Sequence, residues 1–158
     1  MNPYITGSVI PQALALLPPT MDSPEARAML IAIALQESRM KHRAQIAGPA
    51  RGFWQFEAGG GVRGVLMHQQ TRPHVLKVLE ALSYDNSVSV STSYIAIEHN
   101  DVLACVFARL LLWTLPGPLP KQGDPNEGWR QYIEAWRPGK PHRGTWDGFF
   151  LDAWSKEV

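Results

Sequence analysis

At 158 residues the chain can bury a substantial core and reads most simply as one domain. Its 15 Lys and Arg against 14 Asp and Glu leave a net charge of +1, without the basic excess of a dedicated nucleic-acid binder. Cys105 is the sole cysteine, which excludes an internal disulfide and a thiolate metal cluster.

Met1 to Gly7 carries no positive stretch leading into an apolar run, so no secretory signal is expected. Val9 to Leu17 is a short apolar segment stopped by Pro18-Pro19. Ser23-Pro24-Glu25 has the form of a helix start: Ser as N-cap, Pro at the first helical position, an acid in the first turn. Ala26 to Leu35 is then apolar on nearly every face, which predicts a central, buried helix. Gly59-Gly60-Gly61 breaks the chain after an aromatic turn. Val65 to Leu82 has apolar residues at helical spacing, with Pro73 marking a helix start. Ser87 to Ile97 alternates through Val88, Val90 and Tyr94 and fits a loop or a short strand.

Asn100-Asp101 opens a second strongly apolar helix that ends before Pro116-Gly117-Pro118. Its apolar run, Val102 to Leu115, is interrupted by Arg109 and is shorter than the roughly 20 residues of a membrane span. Asp124-Pro125 caps a third helix holding Trp129, Tyr132, Ile133 and Trp136. Thr145 caps the last, whose Trp146, Phe149, Phe150, Ala153 and Trp154 form one core stripe. The expected fold class is mainly α, one domain over residues 1–158.

Glu37 is the residue on which chemistry would rest. It follows almost wholly apolar turns, so it emerges from the core, and it stands near a helix C-terminus, where the macrodipole disfavours a carboxylate. Desolvation and dipole both push its pKa upward. A Glu that stays protonated near neutral pH can act as general acid on a leaving oxygen. The competing reading is a solvated Glu at a helix end.

Glu37-Ser38-Arg39, a polar loop, and then Gly-Phe-Trp-Gln-Phe-Glu at 52–57 resemble the Glu-Ser…Gly-x-x-Gln signature of soluble lytic transglycosylases and goose-type lysozymes. The helix opened by Asn100-Asp101-Val102 is similar to a later helix of that family. Ala135-Trp136-Arg137-Pro138-Gly139 stands where the family has an Ala-Tyr-Asn-Ala-Gly turn. The motif-bearing region covers about residues 23–141.

The resemblance implies a lysozyme-like fold with peptidoglycan bound in a cleft and no cofactor or metal. Glu37 would be the catalytic acid, Ser38 would help to position it, and Gln55 would line the cleft. Trp54 would stack on a sugar face if its indole is exposed, and would pack in the core if it is not. The family's Tyr, whose hydroxyl reaches the acid, is replaced by Trp136, and its Asn by Arg137. Tyr132, one helical turn earlier, is a candidate substitute; Tyr132 and Trp136 would equally fit the core. Glu57 resembles the second acid of goose-type lysozymes, which directs water in hydrolysis. Lytic transglycosylases close the ring on the sugar's own 6-hydroxyl and need no such group.

The implied function is cleavage of the β-1,4 bond between N-acetylmuramic acid and N-acetylglucosamine. A transglycosylase forming 1,6-anhydro ends and a non-catalytic wall-binding or virion module are the alternatives. Chitin oligomers stay open as substrate, since no residue named reads the lactyl group. The implied partners are glycan strands and other virion proteins, with no nucleic acid and no membrane span. By analogy the chain is expected to be a phage or prophage protein made in the cytoplasm and acting on the wall.

Weaker signals complete the reading. Gly59, Gly61 and Gly64 match Gly-x-Gly-x-x-Gly, but the alternating β/α units of a dinucleotide fold are missing. Arg39, Lys41, His42, Arg43 and Arg51 form a basic patch, read either as a solvated loop or as an attractor of anionic wall polymer. Cys105 is expected to be an inert core thiol.

Overall fold

The computed structural model describes residues 1–85 and 89–157. It is mainly helical, and no β-strand occurs among the described residues. A wide turn over Ile5–Val9 runs into α1 (Ile10–Ala15), and a single tight turn at Pro19–Met21 leads to α2 (Pro24–Ser38). The Ser23 side chain accepts a hydrogen bond from the Ala26 amide at 3.1 Å, and Pro24 opens the helix. From Ala28 to Ala34 no residue of α2 has accessible surface. It is the central helix that its all-round apolar sequence predicts.

The apolar segment from Val65 to Leu82 holds two helices, α3 (Arg63–Met67) and α4 (Arg72–Ala81), and Pro73 lies in the first turn of the second, where a helix start is expected. The break falls at Thr71, whose hydroxyl donates to the Val65 carbonyl at 2.6 Å and so holds the two together. The loop or strand expected over Ser87 to Ile97 is instead α5 (Val90–His99) where it is described. Ser87 and Val88 lie outside the described residues. Ser89 caps α5 through the Thr92 amide, and its apolar residues pack on a helix partner, which outweighs the modest strand preference of Val and Thr.

α6 (Asp101–Trp113) is capped by Asn100, which accepts from the Leu103 amide, and is buried for most of its length. α7 (Pro125–Trp136) is capped by Asp124. α8 (Arg143–Glu157) begins two residues before Thr145, so Thr145 is not its cap. That hydroxyl lies within hydrogen-bonding distance of the Gln36 side chain and the His142 carbonyl, fastening α8 to the end of α2. Trp146, Phe150, Ala153 and Trp154 are buried as the stripe predicts, while Phe149 is partly buried with the Arg39 guanidinium over its ring. Cys105 is fully buried and burial raises its thiol pKa. No helix is long and apolar enough to cross a membrane among the described residues.

Candidate active site

α2 ends at Ser38 with Arg39 and Met40 both in the left-handed region, at φ 56°. This sharp stop leaves Glu37 in the last turn of a buried helix, half-buried, beside an open cavity of about 1040 Å³. Gln36, Gln55, Glu57, Tyr132, Trp136 and Arg137 share that cavity with it.

The Tyr132 hydroxyl donates to Glu37 Oε1 at 2.6 Å. Burial is the largest influence on Glu37 and pushes its pKa up to about 7; the Tyr132 hydrogen bond and the Arg39 charge oppose it, and the Glu57 charge adds to it. Glu57 therefore lies within electrostatic reach of Glu37. Burial and the neighbouring Glu37 carboxylate raise the Tyr132 pKa, so its hydroxyl remains a donor through the physiological range. Its ring stacks on Trp146, with centroids 5.1 Å apart and planes 10° from parallel. Position and protonation of Tyr132 are both fixed.

The aromatic turn is a tight hairpin. Arg51 and Phe56 exchange two backbone hydrogen bonds, at 2.9 and 2.7 Å, around Gly52 (φ 75°) and Gln55 (φ 52°). A Cβ at Gly52 would lie 2.9 Å from Ile97 Cγ2, so only glycine gives this close approach with that φ. Three side chains tie the hairpin to the helices. Ser38 Oγ reaches the Phe53 carbonyl at 2.7 Å, Trp54 Nε1 donates to the Leu30 carbonyl at 2.9 Å, and Trp136 Nε1 donates to the Trp54 carbonyl at 2.8 Å.

Trp54 and Ser38 stand behind the cavity wall, Trp54 taking the core alternative. Trp54 has no accessible surface: its indole points into the core, where the Leu30 carbonyl satisfies its N–H, and it cannot stack on a sugar. Ser38 is buried behind Glu37 and is absent from the cavity wall; it joins the acid's helix to the hairpin. Gln55, held by its own bond to the Gly52 carbonyl, does line the cavity, as do Tyr132, Trp136 and Arg137. Arg137 adopts a left-handed cap at the end of α7, which turns the chain along the rim. Glu57 is exposed; its backbone carbonyl accepts from the Gly60 and Val62 amides, while its carboxylate makes no hydrogen bond among the described residues.

Gly59, Gly60 and Gly61 form a wide turn at the cavity edge. A Cβ at Gly61 would lie 2.6 Å from the Phe56 ring, so this glycine is required by close packing, whereas Gly59 and Gly60 are open. The basic patch is largely engaged elsewhere: Arg43 forks onto Asp101, and Arg51 pairs with Glu98. The sequence reading overlooked Gln36 and Glu134, which also line the cavity. Gln36 adjoins Glu37; Glu134 follows Tyr132 by two residues on α7 and is paired with Arg130, one turn before it, at 2.5 Å.

Against known proteins, the chain matches no family model, no curated protein and no solved structure.

Proposed function

We propose that this chain is a peptidoglycan-degrading glycosidase of lysozyme-like fold, cleaving the β-1,4 bond between N-acetylmuramic acid and N-acetylglucosamine. The observation that carries the proposal is Glu37: a carboxyl with pKa near 7, in the wall of an open cavity, held by a phenolic donor. A group of this kind is half protonated at neutral pH and suits proton transfer to a glycosidic oxygen.

Glu37 gives its proton to the leaving oxygen as the C1–O bond breaks. The sugar passes through an oxocarbenium-like state, and the new Glu37 carboxylate is stabilised by the Tyr132 hydroxyl. Water then adds at C1 and passes a proton to Glu57, which would act from the other side of the sugar, as a pair of carboxyls roughly 6.5–9.5 Å apart does in inverting enzymes. Gln55, Trp136 and Arg137 would contact the glycan. Their types suit it: an amide for hydroxyl and acetamido groups, an indole for a ring face, a guanidinium for a carboxylate. The expected setting is the bacterial wall, reached at lysis or from a virion.

One observation favours transglycosylation instead. No hydrogen bond holds the Glu57 carboxylate among the described residues, and a base that must orient water would normally be fixed. In that reaction Glu37 takes back the proton of the sugar's 6-hydroxyl as that oxygen closes onto C1. Mass spectrometry of soluble products from purified peptidoglycan separates the two. Reducing ends support hydrolysis, 1,6-anhydro ends support transglycosylation, and intact wall under conditions of binding refutes both.

A further inference from the structure

A second cavity, of about 490 Å³, lies between the start of α2 and the chain that follows α6. Among the described residues it shares only Leu115 and Pro116 with the Glu37 cavity, so the two are separate but adjoining. Arg109, on α6, lines it although the residue is only 3% exposed. Its Nε donates to the Met21 carbonyl at 2.7 Å, but Nη1 is buried with no partner among the described residues. The guanidinium lies 5.1 Å from the centre of the Trp113 ring. Asp22 is near enough to favour its charge, yet that carboxylate already takes two hydrogen bonds from Arg27. Burial lowers the Arg109 pKa to about 10, which still leaves it charged at neutral pH. Buried donors are nearly always satisfied, and a buried guanidinium nitrogen without an acceptor calls for an explanation.

We propose that this second cavity binds an organic monocarboxylate with an apolar flank, its carboxylate taken by Arg109. A guanidinium N–H donates strongly to a carboxylate oxygen, and with Nε taken by the Met21 carbonyl the donor left without a partner among the described residues is Nη1. Charge sets the limit of one: Arg109 and the rim residue Lys121 are cationic and Glu25 is anionic, so a single added negative charge balances the site. Leu112, Trp113 and Leu119 give it an apolar wall, which suits an alkyl group. An occupant here does not fill the cavity of Glu37, and the inference stands independently of any glycosidase activity.

The test is an NMR titration of the ¹⁵N-labelled protein with isovalerate, with N-acetyl-D-alanine and with inorganic phosphate. Saturable shifts of the Arg109 Nε and Trp113 indole signals are expected with a carboxylate, with phosphate clearly weaker. Binding of isovalerate supports a site for a free acid; binding of N-acetyl-D-alanine alone supports a site for a peptide carboxyl terminus. Arg109→Gln should weaken either by about tenfold or more. Should that variant not fold, Lys121→Glu on the exposed rim should weaken binding severalfold with the melting temperature unchanged. Absence of shifts with both carboxylates, phosphate binding as tightly as they do, or unaltered affinity in these variants would overturn the proposal.

Discussion

Replacing Tyr132 with Phe isolates one interaction at the site. The ring keeps its stacking on Trp146, and only the hydroxyl that donates to Glu37 at 2.6 Å is lost. A hydrogen bond to a charged group contributes about 1.5–3 kcal/mol, and each pH unit of pKa displacement corresponds to about 1.4 kcal/mol. That hydrogen bond holds the Glu37 pKa down against burial, so its removal must raise the pKa further. Because Glu37 keeps an edge toward the open cavity, water will recover part of the loss, and the lower figure applies. The expected pKa is then about 8, up from about 7. A ¹³C titration of the Glu37 side-chain carboxyl reads this directly. The alkaline limb of any pH–rate profile should move the same way, with a lower maximum because the product carboxylate is less stabilised. An unchanged or lower Glu37 pKa would refute the reasoning.

Four further outcomes follow from the same geometry. Glu37 has a pKa of about 7 against an ordinary 4.5, so the native state binds its proton more tightly than the unfolded chain; stability falls as pH rises from 4.5 through 7. Glu37→Gln should remove that penalty and be more stable at pH 8 by up to about 3 kcal/mol, measured by urea unfolding at pH 4 and pH 8; equal stability differences at the two pH values would contradict the assignment. Glu57→Gln should lower turnover by about 10²-fold or more if hydrolysis is correct, with wall binding retained, and should also lower the Glu37 pKa by removing a nearby negative charge. Ser38→Ala leaves the buried Phe53 carbonyl without its 2.7 Å donor and should destabilise the protein by about 1–3 kcal/mol in chemical denaturation. Trp54→Phe should destabilise by a similar amount, about 1–3 kcal/mol, yet leave affinity for wall fragments unaltered in calorimetry, because the indole faces the core.

The parts of the site that could be read in the sequence are those set by local rules. Ser23-Pro24 starts α2, the apolar run buries it, and together they place Glu37 at the end of a core helix. Tyr132 precedes Trp136 by one helical turn and so shares its face, which is why it could be named as a substitute for the displaced phenol. Trp54 was ambiguous because its direction is set by two left-handed residues in the hairpin and by a carbonyl on α2, at Leu30. Neither is visible in a run of aromatic letters. α5 is not legible in the sequence because Val88, Val90 and Tyr94 at alternating positions imitate a strand, while the packing that makes it a helix is tertiary. In the sequence Arg109 is only an interruption of an apolar run; that the fold leaves its Nη1 without a partner among the described residues depends on where the chain after α6 returns.

The most direct measurement of the central claim is release of soluble fragments from purified peptidoglycan by the protein and by Glu37→Gln, at pH 6 and with folding of both verified. Sustained release by the unmutated protein is expected, with a loss of about 10³-fold or more in the variant and wall binding intact. Equal release by the two would show that the proton comes from elsewhere and would contradict the assignment of Glu37.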